Sequence, residues 1–473
     1  MKNKIIYLVT CIILLCVVIF VNTVDVKENN RIHQHLSNKK EVKTDNVDEF
    51  NTHLPIVTID TNGLEIPGEA RDGSTINSNI KIYDDETKNN YLSDAPKITT
   101  VATIRARGNS SLRFDKKGYL LKFINEDGSE NKQEVMGMDS HDEWILNGPF
   151  LDKTLIRNYM CYNISAEIMG YAPNVRFCEV FINNQYKGLY LMLESITRSD
   201  NGRIDISKYE EKNNYTGYIV RIDRGSSDEM QNVNSLIKYG KLVPETTYID
   251  IIYPPKTKLN EKIKLYIERD MSKLDKALYS FDYDEAEYGY ENYINTDNFV
   301  DYFIINEFTQ NYDAGGLSTY LYKDVRGKFN LCVWDFNNAF DNYQESSTKD
   351  RNFEMRDKPY FYMLTKDEKF NKKVIERFRE LRKTYFSEEY LMNYIDETIA
   401  FLGDAIDRNF EVWGYSFNND CKMLTPIERN LHSYDEAVSQ LKKFIKSRCA
   451  YLDENIESLL QFSHESAVKT YNH

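Results

Sequence analysis

The sequence predicts an α+β chain in two lobes, a β-rich N-terminal lobe followed by a mainly helical C-terminal one. Short alternating apolar segments separated by turn residues occupy about 54–200. From about residue 259 the apolar spacing becomes helical and stays so, apart from acidic loops at 311–342. Those polar loops fall where a cleft between two lobes would place its chemistry.

The elements follow in order along 473 residues. Residues 5–24, IIYLVTCIILLCVVIFVNTV, form an apolar stretch long enough to cross a bilayer, with Lys2 and Lys4 before it. The stretch lacks a small-residue cleavage signature, so 1–24 reads as an uncleaved signal anchor that leaves the body outside the cytoplasm. Residues 25–53 are polar, with little periodicity, and read as a solvated tether. Folded sequence starts at LPIVTIDTNG, and the N-terminal lobe is expected over 54–200.

Within that lobe, GYLLKF (118–123) alternates so that Leu120 and Lys122 share one face and Tyr119, Leu121 and Phe123 the other. The segment DKTLIRNYMCYNISAEIMG predicts a helix, with Asp152 able to cap it, Ile156, Met160, Ile164 and Ile168 on one face, and Gly170 able to end it. RFCEVFINN and KGLYLMLESI predict a hairpin turning at Asn183–Asn184. GYIVRID and YIDIIYPP are short strands in an irregular insertion that opens the second region, 201–462, and 463–473 is a tail. Helices are expected before the acidic loops at 262–280 and in TDNFVDYFIINEFTQN, and after them at 368–413 and 433–461.

Composition narrows the function. A net charge of −14 without a dense Lys/Arg run argues against nucleic acid as the main partner. Beyond the apolar stretch, Cys161, Cys178, Cys332, Cys421 and Cys449 are odd in number and scattered, which is no disulfide framework. The seven His lack zinc-ligand spacing. With 74 Asp and Glu, a two-carboxylate glycosidase pair would carry almost no specificity.

Asp335 is the most informative acid. It ends an apolar run that turns into amides, LCVWDFNNAFDN (331–342), a natural place to hold Mg2+ beside a phosphate through oxygen ligands. Asp313 precedes it by 22 residues in the Gly-rich turn NYDAGGLSTYLYKD. A catalytic Asp followed about two dozen residues later by a metal Asp is the layout of protein kinases. Asp313 can orient or deprotonate an acceptor hydroxyl. Ser318 stands five positions on, where a kinase loop has Asn; Asn337, Asn338 or Asp341 can share the metal. Upstream, RARGNSSLRFDKKGYLLKF (105–123) offers Gly108, Asn109, Ser110 and Ser111 to phosphates, with Lys122 as the first lysine to reach them and Lys117 as the reserve. A structural reading stands beside each: turn residue or N-cap for the acids, snorkelling surface residue for the lysines.

These segments together resemble the spore coat protein CotH family, an atypical, protein-kinase-like group. The resemblance rests on RGNSS and KKGYLLKF, DEWILNGPFLDKTLIRNYM, EVFINNQYKGLYLMLESI, the Asp313 loop, VWDFNNAF and FIKSRCAYLDENI, in family order over roughly 54–460. It implies a divergent bilobal kinase fold, ATP and Mg2+ as ligands, and phosphorylation of Ser/Thr on coat or surface proteins. By motif, Asp313 matches the catalytic Asp and Asp335 the metal-binding Asp, with Arg107, Asn109 and Lys122 in the phosphate-facing segment. A hinge analogy places adenine near Leu193–Ser195, including Glu194. The lysine's helix glutamate is left open among Glu167, Glu179 and Glu194. Arg157 can pair a phosphate or Glu167, and Arg408 reads as an ion pair anchoring the helical lobe. An outward-facing body would see little ATP, so a nucleotide-inactive assembly protein that retains the fold is the competing reading.

Overall fold

The computed structural model describes residues 31–463 except 38, 40–48, 69–72, 109, 201, 226–227, 240–242, 244, 343–351 and 423. The chain divides into Met1–Ile32 and His33–His473. The expected anchor (5–24), most of the tether and the tail therefore lie outside the described residues. Among the described residues no helix is long and apolar enough to cross a membrane.

The β-rich half closes on itself. Strands β1 (Ile56–Asp60), β2 (Ile76–Tyr83), β3 (Ile98–Arg107), β4 (Gly118–Ile124), β5 (Glu143–Asn147), β6 (Val175–Ile182) and β7 (Gln185–Glu194) form a seven-stranded barrel in the order β6-β7-β5-β4-β3-β2-β1. It is sealed by parallel pairing of β6 with β1, Glu179 opposite Ile56 through Ile182 opposite Ile59. Closure removes the exposed edges that an open sheet would present. Alternation in the sequence fills the barrel: Tyr119, Leu121 and Phe123 point inward beside Ile104, Trp144 and Met192. Lys122 is left outside, as its phase in GYLLKF requires.

Helix α1 (Arg157–Ile168) interrupts the strands and packs on β6. Asp152 reaches its first turn, with Oδ2 accepting the Arg157 N–H at 3.0 Å. The expected face of Ile156, Met160, Ile164 and Ile168 is buried, but so is nearly every other residue of the helix, so α1 runs through the core. The β6–β7 hairpin turns at Asn183 and Asn184, with φ of 49° and 63°. Positive φ at both central positions matches the twist of the flanking strands and suits Asn.

The second half is less helical than its periodicity suggests. Strands β8 (Tyr218–Asp223), β9 (Tyr248–Tyr253), β10 (Thr319–Lys323) and β11 (Asn330–Cys332) form a four-stranded sheet ordered β9-β8-β10-β11. Two of its strands lie inside the segment read as acidic loops. Helices α2 (Glu261–Tyr279), α3 (Thr296–Thr309), α4 (Pro359–Leu364), α5 (Glu368–Leu381), α6 (Glu388–Leu402), α7 (Asp404–Trp413) and α8 (Tyr434–Asn455) complete the unit. One hydrophobic core runs from α1 through this sheet to α8. Parts of the expected tether also pack onto the body: Gln34 brackets the Phe177 backbone N–H and C=O through its amide, and Thr52 and His53 are buried.

Candidate active site

The site is assembled at one end of the four-stranded sheet. Asp335 follows β11 in a left-handed conformation, φ 56°, and opens the 3-10 turn Phe336–Asn338. Helix α1 grips that turn from below. The Asp335 N–H donates to the Tyr162 hydroxyl at 3.0 Å, and the Phe336 N–H donates to Asn158 Oδ1 at 2.9 Å. Asn158 Nδ2 in turn donates to Asn337 Oδ1 at 2.7 Å, and Asn337 Nδ2 donates to Asp335 Oδ1 at 2.6 Å. An acid in a conformation that side chains disfavour is thus held by two hydrogen bonds of its own, and its turn by two more from Asn158.

The same turn reaches Asp313. Asn338 Nδ2 donates to Asp313 Oδ2 at 3.0 Å, so adjacent amides each bind one of the two expected acids. The Asp313 carboxyl is pushed up to about 6, first by burial and then by the nearby Asp335 charge, while Arg224 and Lys358 oppose the rise. Asp335 is also raised, chiefly by burial, with Arg107 as the main opposing charge. Lys358 donates to the Tyr312 carbonyl and crosses close over Gly315, where an added Cβ would lie 2.8 Å from the Lys358 side chain.

The phosphate-facing segment divides. Arg107, at the end of β3, lies over the Trp334 ring at 5.3 Å and is the cation that faces Asp335. Gly108 has φ 122°, and a Cβ there would sit 1.8 Å from Ser111 Oγ, so only glycine fits. Ser110 begins a 3-10 turn, Ser110–Arg113; Asn109 lies outside the described residues. Lys122 instead pairs with Asp142 at 3.5 Å and is about half exposed, and Lys117 donates to the Leu112 carbonyl. Both ammonium groups are thus engaged away from the two acids.

The three candidate helix-glutamate positions are occupied elsewhere. Glu167 accepts from His33 at 2.9 Å, Glu179 pairs with Arg408 at 2.9 Å, and Glu194 is fully buried, accepting the Asn174 N–H at 2.8 Å. Arg408 therefore is the structural anchor that its position suggested. Arg157 is not a phosphate ligand: it is 1% exposed, bound to Asp152 at 2.5 Å and to the Ala339 and Phe340 carbonyls. Asp341 is drawn away to Arg429 at 2.8 Å. Ser318, φ 47°, stands just before β10. Leu193, Glu194 and Ser195 are buried, and Ser195 Oγ accepts from Arg203 at 2.9 Å.

With this geometry in place, comparison with known families is decisive at one point. The model of the CotH kinase protein family matches residues 104–452. The chain belongs to that family. No curated protein matches it. The match takes in both acids, Arg107, α1 through α7 and all but the last turn of α8, and begins inside β3, so β1 and β2 of the barrel fall before it. CotH membership marks the chain as a kinase or kinase-like protein.

The donor set fits a hard divalent cation. Asp335 and Asp313 are carboxylates beside the side-chain amides of Asn337 and Asn338, with no thiol or imidazole among them, and a bound cation would offset the cost of burying their charge. Among the described residues no three His, Cys, Asp or Glu side chains form a ready-made cage. Mg2+ commonly takes one or two carboxylates and completes its shell with water and phosphate oxygens. Sequence reasoning missed Asp223, Arg224 and Lys358, whose charges all act on Asp313. The signal was weak because each is one of many charged residues in loops or at a strand end.

Proposed function

We propose that the chain is an atypical protein kinase that transfers the ATP γ-phosphate to Ser or Thr of a coat or surface protein. The observation that carries this reading is the single turn that ties Asp335 to Asn337 and Asp313 to Asn338, facing Arg107 across the end of β3. In this reading the barrel and the helical half act as the two lobes of a kinase-like pair.

Asp335, with Asn337 as its orienting neighbour, would hold Mg2+, which when bound neutralises charge on the phosphates. Arg107 would grip phosphate oxygens in the role expected of Lys122. Its guanidinium offers a planar fork, and the Trp334 ring fixes its orientation. Gly108 and Ser110 would present backbone N–H groups to the same phosphates. Asp313 would accept the proton of the acceptor hydroxyl, and Lys358 beside it would offset the growing negative charge. ATP, Mg2+ and a protein acceptor are thus the partners, with an N-terminal anchor over 5–24 placing the body at a membrane surface.

The test is transfer of labelled phosphate from ATP to the protein itself or to an acceptor. We expect transfer by the wild type, its loss in Asp335→Ala and Asp313→Ala, and a raised KM for ATP in Arg107→Ala. Equal silence of wild type and variants, with no nucleotide-induced rise in melting temperature, would sink the kinase reading and leave an assembly protein that has kept the fold.

A further inference from the structure

The end of the sheet that carries Asp335 and Asp313 carries a third carboxylate. In the β8–β10 ladder Ile222 lies opposite Thr319, so the next step places Asp223 opposite Ser318. In the β10–β11 ladder Tyr320 lies opposite Cys332, the last paired step, and Ser318 and Asp335 lie just beyond the ends of those two strands. The ends of three adjacent strands therefore bring Asp223, Ser318 and Asp335 to the same end of the sheet. Ser318, the residue expected to supply the second metal position, brings only a neutral hydroxyl to this row. Asp223 brings a charge.

We propose that Asp223 is the missing acidic partner of Asp335, holding the divalent cation through the ion's coordinated water. The proposal rests on the kinase reading above and deepens it by naming a second acid of that cation site. An outer position agrees with the absence of a three-carboxylate cage among the described residues, and with the habit of Mg2+ of keeping several waters. The Asp223 charge reaches both Asp313 and Asp335.

Local structure gives Asp223 a fixed position. Its Oδ1 accepts the N–H of Arg224 at 2.7 Å, and its Oδ2 lies 3.7 Å from Arg221 Nε. Arg221 has a second carboxylate, Asp250, at 3.5 Å, and so keeps a partner when Asp223 is neutralised. Gly225 follows, where a Cβ would lie 2.1 Å from Asp250 Oδ2, so the chain just after Asp223 passes tight against Asp250. The side chain is about one quarter exposed, which leaves it open to a hydrated ion.

The experiment measures Mn2+ binding to the full chain directly, by the electron paramagnetic signal of the free ion, with and without a non-hydrolysable ATP analogue. Wild type should bind, and Asp223→Asn should bind about tenfold more weakly, the loss usual when an outer-shell partner of a metal is removed. Asp223→Glu should recover most of the affinity. A purely structural Asp223, serving only Arg221, would lower the melting temperature of Asp223→Asn and leave Mn2+ affinity at the wild-type value; that result overturns the proposal while leaving the kinase reading intact. If wild type binds no Mn2+ even with nucleotide, the cation site itself is wrong and the proposal falls with it.

Discussion

At the scale of the residue, the site is a set of like charges kept close by amides. Asn337 and Asn338 hold one carboxylate each, yet an amide cancels no charge. Asp313 feels this most, with its carboxyl pushed up to about 6 from 3.8 by burial and by Asp335. A carboxyl that holds its proton more tightly when folded adds stability at low pH, and that stability is lost as pH rises. The loss runs from about pH 4 to about pH 6, and a shift of this size is on the order of 3 kcal/mol. With divalent ions chelated, urea unfolding should show wild type losing stability relative to Asp313→Asn across that window. A difference between the two that is flat with pH would mean that neither burial nor the Asp335 charge holds the Asp313 carboxyl up. The sequence made Asp313 and Asp335 legible because they sit in unusual surroundings, a Gly-rich turn and an amide run. Asp223 was not, because an acid ending a strand is common and its register with Ser318 depends on a sheet formed from distant segments.

At the scale of the element, α1 connects site to core. Its N-terminal part carries Asn158 and Tyr162, which hold the Asp335 turn, while Glu167 near its other end meets His33 and Tyr385. The helix was legible from its spacing, but its burial on nearly all sides was not. An apolar stripe specifies one buried face and says nothing of the polar residues between, Asn158 and Asn163 among them. They are buried because they have partners, Asn158 with the turn and Asn163 with the Tyr394 hydroxyl at 3.1 Å. Asn158→Ala should therefore cost about 1–3 kcal/mol in stability, because the Phe336 N–H loses its acceptor. It should also weaken phosphate transfer through kcat more than through KM for ATP, since the residue positions Asp335 without touching nucleotide. Unchanged kcat in a folded Asn158→Ala protein would show that the turn holds Asp335 without help from the helix.

At the scale of the whole molecule, the question is how the barrel is fixed to the helices, and local periodicity was silent on it. The parallel β6–β1 pairing joins segments more than 100 residues apart, and no turn signal announces such closure. On its outer side the barrel meets α7 through Arg408 and Glu179, and through a lysine with no carboxylate partner. Lys116 is 1% exposed and donates to the Leu189 carbonyl at 2.6 Å and to Asn409 Oδ1 at 2.7 Å, beneath the Tyr190 ring. Asn409 also accepts the Leu189 N–H at 3.1 Å, so one amide oxygen ties strand β7 and the lysine to α7. Burial lowers the Lys116 pKa well below its usual value, with the Lys153 charge adding to the effect. The unfolded chain therefore holds this proton more tightly than the folded one, so the group favours folding more as pH rises toward 10.5, the value of a free lysine. As pH rises toward 10.5 the stability of wild type should grow relative to Lys116→Met, by no more than about 1.4 kcal/mol per pH unit, the slope of one proton. Denaturant midpoints of the two proteins over that range measure it. A difference that does not change with pH would mean that Lys116 keeps its proton in the folded state, which would require a carboxylate or water at the barrel–α7 contact.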